Sequence, residues 1–304
     1  MRWIRQFALG EGRSSAVRWL RSVNNQSVRG QAGQLHMALK GATQVVWISD
    51  LHVGSTVGLS PKRWRIDESN IHEASESQLL LLDFWQSFWK RRKKDSRPLV
   101  TIIGGDAVDG DHHNTLQLWT QDELVQVDAS VELLKPAVNL SEKAYFLRGT
   151  SAHVGQSGRY DCRVARELGV PSYYHLQLEI CNVLFDLEHH GPGTGKRVWN
   201  LGNTARSYAR HIAMAHILRG VRAPDCIIRG HVHKAIYETV RDAGHTTEMI
   251  ISPSWQFKTE YAHKVASEDD VADIGGVVIG VEYGKITDVT LDVIHFEQAQ
   301  VIKV

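Results

Sequence analysis

Five short stretches of this chain end an apolar run in aspartate or histidine. They are TQVVWISDLHVG, RPLVTIIGGDAVDGDHH, KAYFLRGTSAHVG, VLFDLEHHGPG and DCIIRGHVHKA. In chain order they carry Asp50 and His52, Asp106 and Asp109, His153, His189 and His190, and His231 and His233. Carboxylate oxygen and imidazole nitrogen without thiolate are the donors that suit borderline divalent cations such as manganese, iron and zinc. Two such ions about 3.5–4 Å apart need a bridging carboxylate with several histidines around it. The residues above can supply that set. The pair His231 and His233 is weak by itself, because residues two apart share one side of any extended chain. It gains meaning from the other four stretches.

Rigid elements must bring these residues together. Val45, Val46 and Trp47, like Val100, Ile102 and Ile103, form nearly continuous apolar runs that suit strands buried on both faces. Residues 70–94 read as a helix, with Asn70 and Glu73 at its start and Leu81, Trp85, Phe88 and Trp89 on one face. The run KRRKKD closes it with charges that favour the helix C-terminal dipole. Residues 115–135 and 204–218 read as further helices, and the sequence after residue 248 reads as strands. Strands alternating with helices predict an α/β fold built as a layered sandwich. The polar residues then fall beyond the carboxyl ends of the strands, where open α/β sheets bind ligands.

Bulk properties narrow the classes further. The chain has 304 residues, 42% hydrophobic and 23% charged, enough for a core of native size without staples. A formal net charge of +1 gives no global field that recruits nucleic acid or membrane. No apolar stretch approaches the 18 residues of a membrane span. Cys162, Cys181 and Cys226 are few, far apart and odd in number. They read as buried thiols of a reducing compartment, so a cytoplasmic location is expected. Residues 1–40 read as a basic extension ahead of a catalytic domain over 41–304. Its Arg2, Arg5, Arg13, Arg18, Arg21 and Arg29 outweigh Glu11. That bias fits a solvated helix or frayed end, or an arm that touches nucleic acid or a partner.

The ordered motifs resemble the calcineurin-like metallophosphoesterase superfamily, whose pattern runs D-x-H, G-D-x-x-D, G-N-H-[DE], H before Gly, and G-H-x-H. Four of the five blocks are present in order between residues 50 and 233. The resemblance implies a layered α/β/β/α sandwich and two divalent ions, manganese first, with iron, zinc or nickel as alternatives. It assigns Asp50, His52 and His233 to one ion, Asp106 to both, and His190 and His231 to the other. Asp109 would order the loop from outside the ligand set. Of the neighbours His189 and His190, strand alternation lets only one face the ions, and the position directly before Gly favours His190.

The third block departs from that pattern. Gly149, Thr150, Ser151, Ala152 and His153 stand where the family has Gly-Asn-His-[DE], so Thr150 replaces an amide ligand and His153 comes one residue late. Similar G-T-x-x-H variants occur in phage-type members. His153 is then expected to donate a proton to the leaving group, while His112, His113 or Asn114 could supply the missing ligand or the acid. In HGPGTGKR, the glycine and hydroxyl positions of a phosphate-binding loop are His190 and Arg197. Lys196 and Arg197 are instead candidates for contact with a substrate phosphate.

The implied activity is hydrolysis of a phosphodiester by a metal-bridged hydroxide, with a nuclease or nucleotide phosphodiesterase favoured. The expected partner is a phosphoester substrate, with nucleic acid or a nucleotide in view and no membrane. A phosphomonoesterase is one alternative. A non-catalytic, metal-stabilised binding or scaffold module is another, because Thr150 could leave the second ion poorly held.

Overall fold

The apolar runs ahead of the polar residues become the central strands of two sheets. The computed structural model describes residues 41–111, 116–193, 200, 202–242, 244–259 and 272–294. The basic extension 1–40, His112, His113, Asn114, Lys196 and Arg197 lie outside the described residues. In chain order the elements begin β1 (Thr43–Ile48), β2 (Arg63–Arg65), β3 (Ile71–Glu73), α1 (Glu76–Lys94), β4 (Leu99–Ile103), α2 (Glu123–Leu140) and β5 (Lys143–Leu147). There follow α3 (Ser151–Val154), a 3-10 turn (Gln156–Gly158), α4 (Arg159–Glu167), β6 (Ser172–Tyr173), β7 (His175–Ile180) and β8 (Val183–Glu188). The last are α5 (Asn203–Leu218), β9 (Cys226–Arg229), β10 (Ile236–Asp242), β11 (His245–Ile251), β12 (Ile274–Glu282) and β13 (Lys285–Ile294).

One sheet has the order β13-β12-β1-β4-β5-β6 and the other β10-β11-β9-β8-β7. Strands β1, β4, β5 and β6 run parallel, as do β8, β9 and β11. Val46, Ile48 and Ile103 pack into a core with Leu81, Trp85 and Phe88 of α1 and Val127 and Leu134 of α2. Val45, Trp47 and Ile102 alternate to the opposite face of the same strands and are equally buried. On the second sheet Ile227, Met249 and Ile251 pack against Ala205 and Ala209 of α5. The expected α/β layered sandwich is therefore the observed fold, with helices outside and the two sheets inside. At the carboxyl ends of β1 and β11 the sheets are tied together. Ser49 Oγ lies 2.8 Å from Ser252 Oγ, and Trp255 N donates to Asp50 O at 3.0 Å.

Two helix starts differ from the sequence expectation. The first helix begins at Glu76, not near residue 70, because Ser75 and Gln78 form a reciprocal capping box. Ile71–Glu73 pairs with Arg63–Arg65 as a small hairpin instead, and Asn70 closes a turn on Asp67 Oδ1 at 2.8 Å. The second helix spans Glu123–Leu140 rather than 115–135. Asp122 caps it by accepting from Leu124 N at 2.9 Å. The amphipathic face was legible: Leu81, Trp85, Phe88 and Trp89 are all buried. Of the cysteines, Cys226 is buried, while Cys162 and Cys181 are only half-buried.

Candidate metal centre

Loops leaving β1, β4, β5, β8 and β9 meet at one end of the sandwich, and each delivers one of the sequence motifs. Backbone hydrogen bonds lace the first two loops together. Asp50 N donates to Gly105 O at 2.9 Å, His52 N to Asp106 O at 3.1 Å, and Val53 N to Ala107 O at 3.0 Å. Asp50, His52, Asp106, His231 and His233 all have positive φ, between 46° and 72°. For a non-glycine residue that conformation costs on the order of 1–3 kcal/mol, and such strain gathers at functional sites. Glycines permit the close approach. A Cβ on Gly149 would lie 2.0 Å from Asp106 Oδ1, and one on Gly230 would lie 2.9 Å from Asp50 Oδ2. Those contacts account for the Gly before Thr150 and the Gly before His231.

Two groups of donor atoms adjoin. Asp50, His52 and His233 offer atoms within 4.8 Å of one another, and so do Asp50, Asp106, His189 and His231. Asp50 belongs to both groups, and Asp106 also groups with His52 and His153. Asp50 Oδ1 lies 3.3 Å from His233 Nε2 and 3.9 Å from both His52 Nε2 and His189 Nε2. Asp106 Oδ2 lies 3.1 Å from His189 Nε2. Asp50 Oδ1, His52 Nε2 and Asp106 Oδ2 are buried polar atoms with no well-aligned hydrogen-bond partner. A buried polar atom left this way costs about 1–3 kcal/mol, which a cation at these atoms would relieve.

The outer partners fit the same reading. His52 Nδ1 sits 2.9 Å from Asp109 Oδ1, so its Nε2 is the nitrogen turned toward Asp50. His189 Nδ1 donates to Gly104 O at 2.7 Å, which leaves Nε2 facing the carboxylates. Metal-binding histidines are usually fixed in this manner by a carboxylate or carbonyl on the far nitrogen. Asp109 lies outside the donor groups and holds His52 through Nδ1.

Charges inside the cluster are strongly coupled. Burial pushes the Asp50 carboxyl up, but His189, His233 and His52 outweigh it and hold the group well below the usual range. Burial likewise opposes ionisation of Asp106, and His189 and His52 overcome it. Burial would lower His189, but Asp106 and Asp50 push it up to about 10. Burial and the neighbouring His189 push His231 down to about 4 and also lower His190.

One expectation about the histidines is corrected. His189 and His190 both reach the cluster, grouped with His231 within 4.8 Å. Strand β8 stops at Glu188, so the alternation that would send the two residues to opposite faces no longer applies. His189 is the more central and fully buried, while His190 lies at the exposed rim. Thr150 stands among the three imidazoles. Its Oγ1 is 3.3 Å from His189 Nε2, 3.4 Å from His190 Nε2 and 3.1 Å from His231 Nδ1, and its N donates to Asp106 Oδ1 at 2.6 Å. His153 lies on α3, with Nδ1 3.0 Å from Asp109 O and 3.3 Å from Asp109 Oδ1. Burial lowers its proton affinity, but Asp109 and Asp106 push it up to about 9.

The sequence reading missed Asp161 of α4. Its carboxylate is fully buried and accepts three backbone N–H groups: Asp106 at 3.2 Å and Gly149 at 2.8 Å on Oδ2, and Ala107 at 3.2 Å on Oδ1. It stitches the Asp106 loop to the Gly149–Thr150 loop. Burial first, then Asp106, pushes it up to about 7.

No family model matches the chain, and no curated protein matches it. Solved structures with some similarity include a Thermotoga maritima protein determined by solution NMR, 14% identical over 83% of this chain and 99% of that one, with a TM-score of 0.36. A metallophosphoesterase from Sphaerobacter thermophilus is 13% identical over 84% of this chain and 90% of its own, with a TM-score of 0.37. The sulfate thiohydrolase SoxB of Thermus thermophilus, bound to glycerol, is 11% identical with a TM-score of 0.39, and the match spans 83% of this chain and 56% of SoxB. No helix among the described residues is long and apolar enough to cross a membrane.

Proposed function

We propose that this chain is a metal-dependent phosphoesterase of the calcineurin-like type that hydrolyses a phosphodiester. The observation that carries the reading is the pair of adjoining Asp/His groups around Asp50 and Asp106, with three buried donor atoms that make no well-aligned hydrogen bond. Asp50, His52 and His233 would hold one ion, and Asp106, His189 and His231 the other, with Asp50 shared between the two donor groups. His190 and the Thr150 hydroxyl stand where an asparagine amide would complete the second set. When bound, two divalent ions acidify water and offset charge in an in-line displacement at phosphorus.

The chain's own residues do the rest. Asp109 orients His52 through Nδ1 and raises the proton affinity of His153. A proton held there is available to a departing alkoxide. Gly149 and Gly230 leave room for the Asp106 and Asp50 carboxylates, which a Cβ at either position would crowd.

The test is turnover of bis-p-nitrophenyl phosphate by the purified chain with added Mn²⁺, beside an Asp106→Asn control. Metal-dependent turnover that the control lacks supports the reading, and equal rates in both would sink it. The same assay with p-nitrophenyl phosphate separates diesterase from monoesterase.

A further inference from the structure

A second feature stands apart from the metal cluster. Helices α2 and α4 bound a cleft of about 620 Å³ lined by Ser157, Arg159, Tyr160, Arg163 and Arg166, with Glu123 as its one carboxylate. Three guanidinium groups face one acid in a chain whose formal net charge is only +1. Among the described residues, the ion pair made by these arginines is the long one of Arg166 with Glu167 at 4.0 Å, both largely exposed. Arg163 Nε is buried with no hydrogen-bond partner. Arg159, Arg163 and Arg166 recur at helical spacing on one face of α4, and Asp161 occupies the opposite face.

The cleft therefore does not reach the metal cluster across the helix. The residues that lie in contact between the two are at the N-terminal end of α4. Ser157 lines the cleft, and its carbonyl accepts from Tyr174 Oη at 3.0 Å. Tyr174 is 56% exposed, and the Arg148 guanidinium covers its ring at 4.3 Å from the centroid. Arg148 directly precedes Gly149 and Thr150 of the metal cluster, and its side chain packs where a Cβ on Gly158 would fall, at 3.0 Å. An exposed aromatic ring thus stands between the cluster and the row of arginines.

We propose that this surface holds the single strand of a nucleic acid whose scissile phosphate lies at the metal cluster. The inference rests on the phosphodiesterase reading and deepens it by naming the substrate class. A basic groove that follows the backbone, with aromatic rings for base stacking, is how proteins bind single strands without sequence preference. Arg159 to Arg166 spans about 10 Å of helix, the length of about three phosphates at ~3.4 Å per nucleotide of stacked strand. An acidic polypeptide would match the arginines but has no use for the exposed Tyr174 ring.

Fluorescence anisotropy of a labelled single-stranded oligonucleotide, titrated in EDTA across a salt series, tests this without turnover. The Arg159→Gln/Arg163→Gln variant should bind about ten-fold more weakly at low salt. Its slope of log affinity against log salt should be shallower by about 1.4, from two lost contacts at ~0.7 each. Tyr174→Ala should weaken binding with the slope unchanged, and unaltered thermal midpoints show that the variants are folded. Affinity and slope equal to the parent chain in the arginine variant would overturn the proposal. So would an unchanged Tyr174→Ala together with equal competition by polyglutamate, which marks an acidic-polypeptide site. Failure of the parent chain to hydrolyse the small diester removes the phosphodiesterase reading alone, since the titration in EDTA still decides the cleft.

Discussion

Replacing Asp161 by asparagine separates what holds the fold from what holds the metal. The side chain receives N–H groups from Asp106 and Gly149 on one oxygen and from Ala107 on the other. Asparagine can keep its carbonyl on the first pair, but its NH₂ then faces the Ala107 N–H. One buried donor is orphaned, at about 1–3 kcal/mol, and two bonds lose charge assistance, at about 1 kcal/mol each. Against that stands the removal of a buried charge. Raising the carboxyl from 3.8 to about 7 corresponds to about 4 kcal/mol, at about 1.36 kcal/mol for each pH unit. The two sides nearly cancel, so the metal-free variant should melt close to the parent chain at pH 7. Metal affinity should behave differently, because a neutral amide holds the Asp106 and Gly149 N–H groups more weakly and no longer holds Ala107 N–H. A loss of about 10–100-fold is expected, the usual effect of removing an outer partner. Calorimetric titration with Mn²⁺ and a melting curve in EDTA measure the two quantities. Unchanged Mn²⁺ affinity would refute the argument that Asp161 positions the cluster.

Two further substitutions probe other parts of the structure. His153→Ala should slow hydrolysis of an alkyl diester by about 10²–10⁴-fold. It should slow bis-p-nitrophenyl phosphate far less, because that leaving group needs no proton; loss of bound metal instead would make His153 a ligand. Arg229→Met should lower the urea midpoint by the equivalent of about 3–5 kcal/mol, because Asp186 loses a buried partner at 2.6 Å. Burial raises Asp186, but His175 and Arg229 outweigh it and hold it well below 3.8. A depressed carboxyl stabilises the fold fully above its unfolded value, so this contribution is lost as pH falls below about 3.8. Urea titrations of the variant should show a weaker acid dependence than the parent chain, and an equal one would contradict the assignment.

The strand-end grammar made Asp50, His52, Asp106, His231 and His233 legible, because apolar runs predict buried strands and parallel strands deliver their ends to one place. That His189 and His190 both reach the cluster was hidden, because strand alternation does not extend past Glu188, where the strand stops. Asp161 had no motif. In RYDCRVARE its one sign is position: the acid lies on the helix face opposite Arg159, Arg163 and Arg166. The left-handed backbone at five cluster residues was equally hidden, since no glycine or asparagine marks those positions. The hairpin at 71–73 was hidden because Asn70 and Glu73 mimic a helix start, whereas the Ser75–Gln78 capping box sets the actual one.

The most direct measurement is the metal stoichiometry of the purified chain. Calorimetric titration with Mn²⁺ should give two ions per chain, with a binding site lost in Asp106→Asn and both weakened in Asp50→Asn, since Asp50 belongs to both donor groups. Absence of bound Mn²⁺, Fe²⁺ or Zn²⁺ at millimolar concentration, or stoichiometry unaffected by either substitution, would contradict the account.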